Sequence, residues 1–322
     1  MKKILSIFLC LPLMAFSQLK WTNVDSAYQP LPPSVHVYFS NDSINGKPNR
    51  CYYVTASLKD KSLQFLVDTG LEKRYTPDQY FERNKHPLLV VNCTFFEFAH
   101  NRNLNLVVQN GKPVCFNSQF LAGKGKDTLT YNHVLPSAFG INKKRQADIA
   151  WTYSDSLLPY VYAFQQSYPA IRDSVAIYSV EGLTKLYSRK LSVSPVYNKW
   201  NVETAFGGGP VLVQNGAVQI TNNEEQKFAG KAIADKHPRT AVGYTDDNRI
   251  IVLVIEGRFP GKAEGATLTE EASILQQLNC IEAMNLDGGG SSCLLINGKP
   301  TITPSDKEGQ RPIPAAFIIQ KL

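Results

Sequence analysis

Two carboxylates follow apolar runs in the C-terminal third of the sequence, at positions where strands would end. Glu256 comes after Ile250–Ile255, and Asp287 comes after the largely apolar run Ala283–Leu286. Enzymes that cleave glycosidic bonds use a pair of carboxyl groups around an oxocarbenium-like transition state. Glu256 and Asp287 are therefore the candidate catalytic pair, and they suit glycoside chemistry.

The Asp287 motif continues into a glycine-rich turn. Asn285 and Asp287 are two residues apart, so on a strand both side chains point to the same face. The glycines that follow leave room for a ligand to approach the backbone, and two serines then open a second apolar run. The sequence therefore predicts strand, turn and strand. The candidate substrate-binding residues of this stretch are Asn285, Gly288, Gly289, Gly290 and Ser291.

Other apolar runs also deliver polar side chains at their ends, and a second glycine cluster precedes a further strand. Because a guanidinium binds phosphate through a bidentate fork, the arginines among these residues favour an anionic ligand. A buried structural ion pair between Arg239 and Glu256 is the alternative. The additional candidate substrate-binding residues are Asn92, Arg239, Thr240, Arg258, Gly208 and Gly209.

Other kinds of site find little support in the sequence. Neither glycine cluster has the continuation of a nucleotide phosphate loop, and the five histidines lack metal-ligand spacing. The formal charge of +7 is scattered, and no nucleic-acid-binding motif occurs. A single Asp68-Thr69-Gly70 lacks the second carboxylate that an aspartic protease needs. Carboxylate and amide oxygens could still place a divalent cation near Asp287.

Strands must position most of these residues, because Tyr, Phe, Val and Ile are abundant. Thr267 and Glu270 form a capping-box pattern that predicts a helix over 268–279, next to the Asp287 motif. A shorter helix is predicted to begin after Thr76 and run to about Asn84. The charged run Lys185–Lys190 is interpreted as solvated surface.

The first 17 residues have the pattern of a signal peptide. Lys2 and Lys3 precede an apolar run, and Ala15 and Ser17 are the small residues of a cleavage site. We therefore predict an exported protein, periplasmic or secreted, and no later stretch is long enough to span a membrane. The rest divides into an N-terminal arm with the first strands, 18–84, and a region 85–322. We expect 18–322 to form one compact unit.

Several motifs within residues 85–322 form a joint pattern: Asn92–Phe96, Gly207–Pro210 with Asn215-Gly216, Arg239–Gly243, Glu256–Arg258 and Asn285–Ser292. Together they resemble the phosphodiester glycosidase family. The family usually has Gly where Cys93 stands here, and often Asp where Glu256 stands. The resemblance implies an α+β fold in which strand-rich mixed or antiparallel sheets pack around a few helices.

The resemblance also implies a reaction, the hydrolysis of a sugar-1-phosphodiester such as a GlcNAc-1-phosphodiester at the anomeric carbon. In that reaction Asp287 would act as nucleophile or base, with Glu256 as its partner. Arg239 and Arg258 would bind the phosphate, while Asn92, Asn285 and the glycine backbones would bind the sugar. The alternative is a non-catalytic glycan-binding protein of the cell envelope. Such a binder would rely more on aromatic platforms than on the charged residues found here, so we favour the enzyme.

Overall fold

Short antiparallel strands make up most of residues 18–322, the part of the chain that the structure, a computed structural model, describes. The predicted signal peptide, residues 1–17, lies outside the described residues. The strands, numbered in chain order, are β1 (Thr22–Asn23), β2 (Val35–Ser40), β3 (Cys51–Ser57), β4 (Leu63–Thr69), β5 (Leu89–Asn92), β6 (Val107–Gln109), β7 (Lys112–Cys115), β8 (Leu121–Ala122), β9 (Tyr131–His133), β10 (Ser137–Ile141), β11 (Ala147–Tyr153), β12 (Tyr162–Phe164), β13 (Ile171–Asp173), β14 (Asn198–Lys199), β15 (Thr204–Gly207), β16 (Val211–Gln214), β17 (Ala217–Val218), β18 (Arg239–Thr245), β19 (Arg249–Ile255), β20 (Cys280–Asn285), β21 (Leu294–Ile296), β22 (Lys299–Pro300) and β23 (Ala315–Lys321). The α-helices are α1 (Pro77–Arg83), α2 (Val180–Leu191), α3 (Asn222–Glu225) and α4 (Leu268–Gln277).

Within the described residues the strands form four sheets, and every pairing between them is antiparallel. The largest sheet has the order β1-β2-β3-β19-β18-β20-β16-β17. The others are β14-β12-β11-β10-β15-β6-β7, β22-β21-β5-β23-β4 and β13-β9-β8. The predicted α+β class, with strand-rich sheets and few helices, is confirmed.

The eight-stranded sheet is covered on both faces, which explains why its central strand β19 is apolar at nearly every position. On one face Val252 packs in a cluster with Phe317 and Phe139 of two other sheets. On the opposite face Leu253 packs in a second cluster with Leu275 of α4. This burial fixes the register of β19 and its neighbours, because a slip of one residue would exchange the two faces.

Helices α1 and α4 begin where the sequence predicts, each with a threonine capping box. The interpretation of Lys185–Lys190 as simple surface missed α2. Its charged side chains are exposed, but Leu183, Leu186 and Tyr187 on its other face are buried. Among residues 18–322, no helix is long and apolar enough to cross a membrane.

Residues 18–84 contribute strands to the two sheets nearest the candidate site. All of β3, from Cys51 to Ser57, pairs with β19, and all of β4, from Leu63 to Thr69, pairs with β23. Asp68 lies in β4, where its carboxylate accepts a hydrogen bond from Asn84 at 2.8 Å. That residues 18–322 form one unit stays a prediction, which a truncation can test.

Candidate active site

The predicted strand, glycine-rich turn and strand are present around Asp287. β20 ends at Asn285, a short 3-10 turn spans Gly289–Ser291, and β21 begins at Leu294. Since β18 is antiparallel to both β19 and β20, its first residue lies at the edge of the sheet where those two strands end. The candidate residues from all three strands therefore lie at one edge of the sheet.

The Asp287 carboxyl lies at the centre of this turn and is partly buried. Burial raises its pKa from 3.8 to about 6. The Ser291 hydroxyl, the Arg311 guanidinium, the Gly288 backbone and the Lys227 ammonium each oppose this rise, because each favours the ionised form. The result is a carboxylate that is mostly ionised at neutral pH and remains basic enough to accept a proton.

Two cations near Asp287 were missing from the sequence interpretation. Arg311 makes a bidentate ion pair with Asp306, at 2.7 and 3.0 Å, and a further contact of 3.5 Å with Ser291 Oγ. Lys227 lies 5.1 Å from the centre of the Phe95 ring, and burial lowers its pKa. Both residues belong to irregular segments with no local pattern, so only the fold brings them to the turn.

The second glycine cluster packs against Asn285 and against a buried glutamate, Glu225, that no sequence pattern singled out. Glu225 accepts hydrogen bonds from the Ser137 and Val211 backbone amides, both at 2.9 Å. Gly209 has a φ of 107°, and a side chain there would collide with Glu225 and lie 2.9 Å from Lys227. Close packing within the protein thus explains the glycine at this position.

Asn92 and Thr240, both predicted to bind substrate, connect separate parts of the site. Asn92 Nδ2 donates to the Asp287 carbonyl, and Asn92 Oδ1 accepts from the Cys293 amide and the Thr240 hydroxyl, each at 3.0 Å. Thr240 Oγ1 also lies 3.1 Å from Ser292 Oγ. Because Asn92 is 1% exposed and Thr240 is fully buried, their contacts fix the backbone on both sides of Asp287.

Asn285 is also buried and bound to the protein. Its Nδ2 donates to the Gly209 carbonyl at 2.9 Å and to the Leu286 carbonyl at 2.7 Å. Its Oδ1 has no hydrogen-bond donor among the described residues. Asn285 therefore joins the two glycine clusters, while Gly208 fits against Asn285 O, where a Cβ would lie at 2.7 Å.

The two predicted phosphate-binding arginines lie in different environments. Arg239 is 2% exposed and donates to the Ala266 carbonyl at 2.8 Å and the Asp235 carbonyl at 3.2 Å. Arg258 is exposed, and a Cβ on Gly289 would lie 2.8 Å from its Nη2. Of the two, Arg258 is the one with a guanidinium accessible at the turn.

Glu256 contacts a neighbouring loop. Its Oε2 accepts a hydrogen bond from the Thr303 amide at 2.8 Å, and its Oε1 lies 3.8 Å from Arg50 Nη1. The described contacts include no ion pair between Glu256 and Arg239, the alternative arrangement considered from the sequence. Since β18 separates β19 from β20, the backbones at Glu256 and Asp287 are roughly two strand spacings apart, about 10 Å.

A divalent cation near Asp287 stays a prediction. No group of three or more His, Cys, Asp or Glu side chains that could hold a metal ion occurs within residues 18–322. Positive charge at Asp287 comes from Lys227 and Arg311.

The protein thus has an α+β fold and a site in which the Asp287 carboxylate lies on a glycine-rich turn near the cations Lys227 and Arg311. The sequence profile of the phosphodiester glycosidases matches residues 86–320, and the chain belongs to that family. The resemblance seen in the motifs is thereby confirmed, and glycosidases are hydrolases.

Individual relatives match over shorter stretches. N-acetylglucosamine-1-phosphodiester α-N-acetylglucosaminidase of Mus musculus is 30% identical over 99 residues, which cover 31% of this chain and 19% of that protein. An uncharacterised prophage-derived protein of Bacillus subtilis is 38% identical over 119 residues, or 37% of this chain and 18% of that protein. The chain thus matches about a fifth of the length of these relatives.

The similarity of fold extends over almost the whole chain. The zebrafish N-acetylglucosamine-1-phosphodiester α-N-acetylglucosaminidase catalytic domain, auto-inhibited by its pro-peptide, superposes with a TM-score of 0.59 at 18% identity. That superposition covers 92% of this chain and 86% of the zebrafish chain. A hypothetical protein from Synechocystis gives a TM-score of 0.57 at 15% identity, over 95% of this chain and 68% of the other.

Proposed function

We propose that the protein hydrolyses a sugar-1-phosphodiester, similar to a GlcNAc-1-phosphodiester, at the anomeric carbon. The observation that carries this proposal is the Asp287 carboxyl, with a pKa of about 6, beside the cations Arg311 and Lys227. The products are the free sugar and a phosphomonoester. Membership of the phosphodiester glycosidase family supports the same reaction class.

Asp287 serves as the nucleophile or general base of this reaction. Its ionised form predominates at neutral pH, and phosphate is a good leaving group that needs little protonation. The exposed Arg258 lies close to Gly289 and Arg311 lies close to Gly290. Both bind the phosphate oxygens, because guanidinium groups pair well with phosphate. Lys227 adds a third positive charge.

Glu256 remains a candidate partner of Asp287, and its contacts favour a positioning role. Its bond to the Thr303 amide holds the segment that leads to Arg311. A Glu256→Gln variant that keeps the Thr303 bond is expected to retain measurable turnover. If Glu256 instead acted directly in the chemistry, the same substitution would abolish nearly all turnover.

The test is release of sugar from UDP-GlcNAc and from a GlcNAc-1-phosphodiester by the purified protein. In ¹⁸O-labelled water the label is expected in the sugar, because the bond at the anomeric carbon is broken. Asp287→Asn is expected to lower the rate by about a thousandfold or more. Asp246→Asn, in an exposed turn, is the matched control.

Two results would count against the proposal. Label in the phosphate would indicate a phosphodiesterase. Tight sugar binding without any release would favour the non-catalytic envelope glycan-binding protein that the sequence left as the alternative.

We also propose that the protein is exported, on the basis of the signal-peptide pattern in residues 1–17. N-terminal sequencing of protein recovered outside the cytoplasm is expected to begin at Gln18. Recovery with residues 1–17 intact from the cytoplasmic fraction alone would contradict this.

A further inference from the structure

A large cavity lies at the end of the seven-stranded sheet that is remote from the glycine-rich turn. Its volume is about 1180 Å³, and the β6–β7 and β10–β11 turns form part of its wall. β15 connects the two regions, since Glu203 just before it lines the cavity and Gly208 just after it lies at the turn. Glu203 and Gly208 are five residue steps apart along extended chain, a distance of roughly 17 Å.

The charged side chains around this cavity are mainly cationic. Lys143 is offset by a glutamate at 3.5 Å, and Lys199 lies 3.9 Å from the centre of the Tyr160 ring. Two more lysines are exposed and are available to a ligand. A cleft with one dominant sign of charge concentrates ligands of the opposite sign. The charged lining residues are Lys112, Lys143, Lys144, Lys199 and Glu203.

An immobilised indole forms one wall of the cavity. Trp200 Nε1 donates to Asp148 Oδ2 at 2.6 Å. The ring stands on Gly140, where a Cβ would lie 2.6 Å from Trp200 Cζ2. Glycine is unfavourable in the interior of a strand, so Gly140 in β10 is best explained by the space that the Trp200 ring requires above it. A fixed, partly exposed ring can pack against the C–H face of a sugar without further loss of conformational freedom.

Amide side chains complete the wall beside the indole. Asn110, Asn142 and Gln146 all line the cavity. Amides both donate and accept hydrogen bonds, as sugar hydroxyls do. Ring, amides and lysines together provide complementary groups for the C–H face, the hydroxyls and the anionic substituents of a glycan.

We propose that this cavity is a second, non-catalytic binding site for an anionic oligosaccharide. Sugar rings pack on Trp200, and phosphate groups of the oligosaccharide pair with Lys112 and Lys144. This proposal rests on the proposed function in one respect, namely that the oligosaccharide in the cavity is part of the substrate. Binding in the cavity itself requires no chemistry at Asp287.

Binding can be measured directly by calorimetry on the full chain carrying Asp287→Asn, so that hydrolysis does not interfere. The probes are a phosphorylated dextran oligosaccharide, an unmodified dextran oligosaccharide of equal length and inorganic polyphosphate. We expect the phosphorylated oligosaccharide to bind most tightly. The double variant Lys112→Ser/Lys144→Ser and the variant Trp200→Ala are each expected to weaken its binding by about tenfold or more.

Two further variants separate a specific site from a general effect. Lys185→Ser, on the exposed face of α2, is expected to leave binding unchanged. Trp200→Phe keeps a ring on Gly140 and is expected to retain most of the binding, which guards against loss of the fold in Trp200→Ala. Binding that survives both cavity variants, or polyphosphate that binds as tightly as the sugar-containing probe, would overturn the proposal.

The outcome is independent of the proposed reaction. With the Asp287 carboxylate restored, the lysine variants are expected to release sugar from UDP-GlcNAc at the unmodified rate, because this small substrate does not reach the cavity. If no protein form releases sugar, the proposed reaction fails while the binding result stands. If release is normal and the phosphorylated oligosaccharide does not bind, only the second site fails.

Discussion

Burial and neighbouring groups shift the pKa of the Asp287 carboxyl in opposite directions, and the resulting pKa affects both activity and stability. Burial favours the neutral acid, while Ser291, Arg311 and Lys227 favour the carboxylate. The resulting pKa of about 6 lies above the ordinary value of 3.8. The folded protein therefore holds this proton more tightly than the unfolded chain does.

Activity is expected to follow the ionisation of Asp287. As nucleophile or base it must be deprotonated, so kcat/KM should rise about tenfold per pH unit below pH 6 and then level off. A pH profile on a GlcNAc-1-phosphodiester measures this, and the Asp246→Asn control should give the same curve. A profile that falls as the pH rises through 6 would instead assign Asp287 the role of an acid.

The same pKa predicts that the candidate carboxylate reduces stability. The pKa of Asp287 is higher in the folded protein than in the unfolded chain. The stability that the neutral Asp287 carboxyl contributes is therefore fully present below about pH 4 and is lost as the pH rises to about 6, where this carboxyl ionises in the folded protein. Asp287→Asn is thus expected to increase the free energy of unfolding at pH 7, by on the order of 1–3 kcal/mol, and to change it little at pH 4. Urea denaturation at both pH values measures the difference. A variant less stable than the parent at pH 7 would contradict the prediction.

Single residues also show where sequence reasoning reaches its limit. The spacing of Asn285 and Asp287 and the glycines after them were enough to locate the turn. The sequence could not show that Asn285 Nδ2 donates to the Gly209 carbonyl, since Gly209 is distant in the chain. Lys227 and Arg311 could not be found because tertiary contacts alone place them near Asp287.

Among the elements, those with strong local signals were predicted best. The capping box at Thr267 located α4, and the apolar run Ile250–Ile255 located β19. Helix α2 was missed because its buried residues alternate with charged ones in a segment rich in Lys and Arg. The order of strands in the sheets follows from long-range pairing, for which short apolar runs carry no signal.

The cap of α4 offers a test at the level of one element. Thr267 Oγ1 accepts a hydrogen bond from the Glu270 amide at 3.2 Å, so Thr267→Ala leaves that amide without its acceptor. The free energy of unfolding is expected to fall by about 1 kcal/mol, measured by urea denaturation. Thr269→Ala, exposed within the same helix, is the control and should have little effect. Equal losses in both variants would show that the cap contributes nothing specific.

For the molecule as a whole, the N-terminal arm is expected to be indispensable. A fragment of residues 85–322 lacks β3, so β19 becomes an exposed apolar edge strand, and β23 loses its partner β4. Exposed apolar edges associate with one another. We expect this fragment to aggregate and to lack a cooperative thermal transition, whereas residues 18–322 should show one. A monomeric fragment with a sharp transition would make 85–322 an independent domain.

The position of β23 also has a consequence for biosynthesis. This strand lies in the interior of its sheet, between β5 and β4, although β4 precedes it by more than 240 residues. The sheet cannot close until Ala315–Lys321 has left the ribosome, so the native state forms only after nearly the whole described chain has been synthesised. For the export that we propose, this delay would be useful, because a polypeptide that cannot complete its fold early can still pass through a membrane channel.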